Sequence, residues 1–174
     1  MKLLTYYLLL ITYLSASTLN LSMSSSPSRL NPILANDSAS GEISDWLFNG
    51  LFKYDKNGNH TVDLAQSYEF ETPTKLIIKL RNNVLWHDGV KFTSKDVVFT
   101  YEKIIDPKVF NSIKSNFQEV QSVKAIDDFT LEIIYKQPYF KAIETWMVGI
   151  LPYHLLKDEE NLMTSSFNKN PIGT

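Results

Sequence analysis

Not one of the 174 residues is a cysteine, which excludes a disulfide framework, a thiolate zinc site and a cysteine nucleophile. The same absence leaves no N-terminal cysteine to carry an acyl anchor. Neither sign of charge dominates: 17 Lys and Arg stand against 19 Asp and Glu, for a formal charge of −2. Polyanion binders usually show a basic excess or stripe, so nucleic acid is not an expected partner. Glycine (6) and proline (7) are few enough that each reads as a local signal. Long hydrophobic runs are missing too. Leu3 to Leu14 is uncharged, but it falls short of the roughly 20 residues a membrane span needs. What remains is rich in core material, 44% hydrophobic and 13% aromatic, too aromatic for a disordered chain. The length suits one ordinary domain.

The N-terminus reads as an address. Lys2 supplies a positive start, Leu3–Leu14 an apolar stretch, and Ser15-Ala16-Ser17 the small residues of a cleavage site. That order predicts a cleaved secretory signal over residues 1–17 and a soluble, exported product that is not a lipoprotein. An uncleaved anchor helix is the alternative.

Alternation of Leu19, Leu21 and Met23 with polar residues predicts a strand over Leu19–Ser26. Pro27 to Ser40 reads as a loop. A helix capped by Ser40 is expected over about Gly41–Leu51, with Ile43, Trp46, Leu47 and Leu51 on its apolar face. Phe52-Lys53-Tyr54 and His60-Thr61-Val62 flank a turn at Asp55–Gly58. Strands follow at Leu64–Phe70 and Lys75–Arg81. Thr93-Ser94-Lys95-Asp96 forms a capping box with Asp in place of Glu, opening a helix that Asp106-Pro107 stops. Phe110–Glu119 fits either helix or loop. Val120–Ile126 and Phe129–Tyr135 predict a hairpin, and Phe140–Met147 a last helix. Strands and helices mix without a βαβ rhythm, so the fold class is α+β.

Catalytic chemistry is scarce. His60, His87 and His154 lack metal-ligand spacing. His87-Asp88 admits an acid–base dyad, although Asp88-Gly89 reads more simply as a turn anchored by Trp86. Asp127-Asp128 belongs to an exposed hairpin apex. No Gly-rich phosphate loop or G-x-S-x-G motif is present. Trp46, Trp86 and Trp146 are expected in the core. Binding, with no cofactor, suits these residues better than catalysis.

Six segments, in order, resemble one family: Leu30-Asn31-Pro32; Leu47-Phe48-Asn49-Gly50-Leu51-Phe52; Leu64-Ala65-Gln66-Ser67-Tyr68; the long run Leu80 to Phe99 around Trp86-His87-Asp88-Gly89; Val123 to Leu131; and Pro171-Ile172-Gly173-Thr174. Together they are similar to the N-terminal part of the bacterial extracellular solute-binding proteins, family 5, the receptors of peptide, dipeptide and nickel ABC importers. The resemblance implies a type II periplasmic-binding-protein clamshell, of which this chain is an N-terminal portion. Residues 18–50 would be the first segment of a discontinuous lobe I, 51–170 an accessory domain, and 171–174 the start of the return to lobe I. It further implies capture of an oligopeptide or dipeptide in the periplasm by a monomer and delivery to ABC permease subunits. Asn36, Asp37 and Ser38 would supply the ligand-facing loop, and Phe110-Asn111-Ser112-Ile113 a second contact. A nickel-chelate or other small-solute receptor is the alternative within the family, and an exported enzyme using His87-Asp88 the alternative outside it.

Overall fold

The computed structural model describes residues 22–174. The signal-peptide reading and the first residues of the Leu19–Ser26 strand lie outside that range. Ser22–Ser26 form a bend and irregular chain rather than a strand. Alternation alone does not make a strand when no neighbouring edge takes up its hydrogen bonds, and these serines are exposed.

Among the described residues the first regular element is α1, Ser38–Leu47, one turn earlier than the sequence predicts. Its cap is Asp37, whose carboxylate accepts from the Ser40 backbone N–H at 2.9 Å and from the Ser40 hydroxyl at 2.6 Å. Ser40 is therefore inside the helix, serving the cap rather than being it. The helix ends at Leu47, and Leu51 begins the next extended segment. Trp46 projects into solvent with 62% exposure, while Trp86 and Trp146 are buried as expected.

A two-stranded antiparallel hairpin follows, β1 (Phe52–Tyr54) with β2 (His60–Val62). The central layer is a four-stranded antiparallel sheet in the order β3-β4-β6-β5. Its strands are β3 (Ala65–Thr72), β4 (Lys75–Leu80), β5 (Val120–Asp127) and β6 (Thr130–Tyr135). Period-2 alternation buries Leu76, Ile78 and Leu80 of β4 beside Leu131, Ile133 and Tyr135 of β6. Their opposite face is charged: Lys75 pairs with Glu132 at 2.8 Å and with Glu71 at 3.0 Å.

Helix α2, Ser94–Ile105, covers the apolar face with Val97, Tyr101 and Ile104. The capping box forms, with the Thr93 backbone N–H donating to Asp96 at 2.8 Å. Ser94 ties the helix start to the β5–β6 turn by donating its hydroxyl to the Asp127 carbonyl at 2.6 Å. The ambiguous stretch before β5 contains a 3₁₀ turn, Ile113–Phe117.

The predicted helix over 140–147 shrinks to a 3₁₀ turn, Glu144–Met147. Thr145 bonds back to the Lys141 carbonyl at 2.9 Å, and the Trp146 carbonyl is taken by the Leu51 N–H at 2.8 Å. With Trp146 itself at φ −97°, ψ 18°, the segment serves tertiary contacts rather than a helical ladder. A short α3, Tyr153–Leu156, follows.

Residues 48–51 cross 146–150 at backbone contact. A Cβ at Gly50 would lie 2.6 Å from the Met147 carbonyl oxygen, and one at Gly149 would lie 2.7 Å from the Phe48 Cβ. The Ile150 N–H donates to the Asn49 carbonyl at 3.1 Å, completing the junction.

Hydrogen bonds and ion pairs hold Asp37, Asp55, Asp88, Asp127 and Glu132 below their ordinary carboxylate values, whereas desolvation raises Asp45 and Asp96. A lowered acid contributes stability above its unfolded pKa and loses it as pH falls through the folded value. The lowered group is the more numerous, so thermal melts should show the midpoint declining as pH drops from 7 towards 3, with the loss beginning near pH 4.

Candidate functional site

The Asn31-Pro32 turn sets one wall of a groove. Asn31 accepts from the Ile33 N–H through its side chain and from the Leu34 N–H through its carbonyl, so Ile33 and Leu34 turn inward. The chain then emerges at Ala35, passes Asn36–Ser38 and enters α1. Facing it is the 3₁₀ turn Ile113–Phe117. The Ser112 hydroxyl donates to the Asn36 side-chain oxygen at 3.2 Å and bridges the two segments.

Between them opens a groove of about 660 Å³. One face of α1 lines it with Gly41, Ser44 and Asp45, at the spacing of helix neighbours, followed by Phe48 at the helix C-cap. Ile113 and Asn116 line it from the facing turn, Tyr54 from β1, and Glu144 and Met147 from the crossing segment.

The groove's charges are unequal. Asp63 is satisfied by Lys53 at 2.8 Å and by the Asn49 amide at 2.8 Å. Glu144 pairs with His60 at 3.3 Å and lies beside the Tyr54 phenol. Asp45 is solvent-exposed and has no hydrogen bond or ion pair among the described residues; partial desolvation raises its carboxyl above the ordinary value. Desolvation and the Glu144 carboxylate together raise the Tyr54 phenol.

The residues singled out from sequence lie beside this groove rather than in it. Asn36 is held by Ser112, Asp37 is spent on the α1 cap and on Ser28, and Ser38 is exposed in the first turn of α1. Their neighbours Ala35 and Gly41 line the groove instead. In the second segment Ile113 lines it, Phe110 is solvent-exposed, and Asn111 is buried with its amide donating to the Ile104 and Val109 carbonyls. Asp45, Tyr54 and Glu144 carry no motif. The one sequence signal for Asp45 is its helical spacing with Gly41 and Phe48.

His87 and Asp88 do not form a dyad with each other. The His87 ring nitrogen Nδ1 accepts from the Gly173 N–H at 3.2 Å, and Asp88 pairs with His154 at 2.8 Å. Among the described residues no three His, Asp or Glu side chains gather as metal ligands, and no helix is long and apolar enough to cross a membrane.

Residues 60–174 match the model of the bacterial extracellular solute-binding proteins, family 5 Middle. The chain belongs to this family. Its relatives include the oligopeptide-binding protein AppA of Bacillus subtilis, 30% identical over 85% of this chain and 28% of AppA. The structure of AppA in complex with a nonapeptide superposes with a TM-score of 0.77, at 29% identity over 84% of this chain and 30% of that one. NikZ of Campylobacter jejuni, solved in complex with Ni(L-His), gives 0.78 at 38% identity over 86% of this chain and 30% of that one. This family 5 chain spans under a third of the length of these relatives, and its α+β fold is part of a type II periplasmic-binding-protein architecture.

Proposed function

We propose that this chain forms one wall of the ligand cleft of an ABC importer's substrate-binding component, which captures short peptides outside the membrane and hands them to the permease subunits. The groove between the Asn36 loop with α1 and the Ile113–Phe117 turn carries the reading. Its volume falls within the range of small-ligand sites, and both contact segments expected from the resemblance border it, joined by Ser112 and Asn36. Irregular backbone beside such a groove suits a peptide, whose main chain bonds whatever its side chains are. Residues 18–50 then belong to a discontinuous lobe I, 51–170 to an accessory domain, and 171–174 to the return into lobe I. Residues 1–17 serve as a cleaved export signal, delivering a soluble, monomeric receptor to the periplasm. The protein does no covalent chemistry in this scheme.

A nickel–histidine chelate is the second reading, favoured by the 38% identity with NikZ. A thermal-shift screen of the full gene product against peptides of two to nine residues and against Ni(L-His) separates the two. Peptide at a hundredfold excess over its Kd should raise the midpoint by several degrees, because about 2.7 kcal/mol of binding stabilises the fold. Residues 22–174 alone should show no shift, since one open wall cannot desolvate a ligand. A shift with Ni(L-His) and none with any peptide would move the protein to the second reading.

A further inference from the structure

Two histidines fasten residues 153–174 to the turn around Trp86, and a proton acts on them in opposite ways. His154 lies in the first turn of α3, with its Nε2 2.8 Å from the Asp88 carboxylate. A carboxylate only accepts, so His154 donates, and it keeps that N–H whether its ring is neutral or charged. His87 does the reverse. Its Nδ1 accepts the Gly173 N–H at 3.2 Å, while its own backbone N–H donates to the Gly173 carbonyl at 2.9 Å. A ring nitrogen that faces an N–H carries no proton, so His87 is neutral here, with its hydrogen on Nε2. Protonation would set one N–H against another.

The Gly173 contact helps to seat α1. Residues 165–174 run along the segment that carries this helix. The Asn168 carbonyl accepts from the Leu30 N–H at 2.7 Å, and Phe167 packs on Phe48 with ring centroids 5.9 Å apart. The Thr174 hydroxyl donates to the Asn49 side-chain oxygen at 3.0 Å, and Gly173 passes so close to the Leu47 carbonyl that a side chain would strike it. The charges around His87 are committed elsewhere. Asp88 and His154 are spent on each other, and Asp96 of α2 takes the Thr93 and Tyr153 N–H groups. Lys91, across the Leu85–Lys91 bridge, stands over the Phe129 ring at 4.8 Å, and Asp45 of α1 lines the groove. Residues 171–174 bring no charged side chain. His87 is exposed, so protons reach it directly.

We infer that His87 is a proton-operated latch. Neutral, it pins Gly173 and the strap 165–174 against the end of α1. Protonated, it releases residues 171–174, while the His154–Asp88 contact keeps the start of the strap attached. Histidine is the side chain that changes charge between about pH 5 and 8, so the latch opens as pH falls through that range. Opening loosens the seat of the helix that lines the groove, whatever ligand the groove takes.

Amide hydrogen exchange of the full gene product at about pH 8 and pH 5, corrected for the intrinsic pH dependence of exchange, tests the latch. In the wild type the Gly173 amide should lose about tenfold of its protection at the lower pH, the usual weight of one hydrogen bond. His87→Asn places an amide oxygen near the position of Nδ1; it accepts at either pH and cannot titrate, so protection should stay level. His87→Ala should be unprotected at both. A loss in His87→Asn equal to that of the wild type, or no loss in the wild type, would overturn the inference. Should His87→Asn fold poorly, the nitrogen-15 shift of Nδ1 in the wild type reads the same contact. A bare Nδ1 at the higher pH, titrating in step with Gly173 exchange, is expected, and an Nδ1 that already carries the proton there would refute it.

Discussion

Replacing Trp146 with alanine is expected to cost about 3–5 kcal/mol, the usual loss for a fully buried large aromatic. Trp146 is 1% exposed and sits edge-on to Phe117, with ring centroids 5.4 Å apart, while Tyr101 approaches at 6.3 Å. Its indole N–H donates to the Tyr135 hydroxyl at 2.9 Å, and that hydroxyl donates to the Ala142 carbonyl at 2.7 Å. The relay fixes the 140–147 segment against β6, and burial holds the Tyr135 phenol far above its ordinary pKa, so it stays a donor. Truncation removes the ring contacts and leaves the phenol oxygen without its donor. Set against a total of roughly 5–15 kcal/mol for an ordinary domain, this loss is large. Guanidinium titration should show the midpoint displaced with the slope retained. Trp146→Phe should recover about half of the loss, since it restores ring contacts but not the hydrogen bond. A Trp146→Ala midpoint within error of wild type would contradict this packing.

The second large effect is at Asp96. Its carboxylate accepts from the Thr93 N–H at 2.8 Å, closing the α2 cap, and from the Tyr153 N–H at 2.9 Å, which docks α3 onto the same helix end. Alanine there removes a cap worth about 0.5–2 kcal/mol and leaves two backbone donors unpaired, for a combined loss of about 2–4 kcal/mol. The effect depends on pH in an unusual direction. Burial, the leading influence, raises the Asp96 pKa despite the hydrogen bonds that lower it. A raised acid contributes most below its unfolded pKa and loses that contribution as pH rises through the folded value. The difference between wild type and Asp96→Ala should therefore be larger at pH 3 than at pH 7, opposite in sense to the decline of the wild type itself. Paired urea titrations at the two pH values measure it, and a penalty that grew with pH would refute the assignment.

Local signals carried the parts of the fold that are closed locally. The capping box at Thr93–Asp96, the β1–β2 hairpin and the β5–β6 hairpin depend on residues a few positions apart, so they were legible in the sequence. Segments decided by distant partners were not. The 140–147 stretch has helical spacing, yet Leu51 claims the Trp146 carbonyl from nearly a hundred residues away. Trp46 follows the apolar stripe of α1 but ends in solvent, because the helix presents Gly41, Ser44 and Asp45 to the groove instead. Asp88 likewise pairs with His154 rather than with its neighbour His87. The segments that the resemblance singled out, Asn36–Ser38 and Phe110–Ile113, border the groove, with only Ile113 of them lining it. The side chains that give it character, Asp45, Tyr54 and Glu144, come from three separate elements, and no spacing rule unites them.

The glycine crossing has a consequence for how this groove can vary. A side chain at Gly50 would strike the Met147 main chain and one at Gly149 the Phe48 and Pro32 side chains, so these two contacts set how closely the segments pass. Asp45, Tyr54 and Glu144 hang from the groove walls without holding them apart. Exchanging them changes the lining of the groove while the frame keeps its dimensions. The two glycines are the positions at which the same freedom ends.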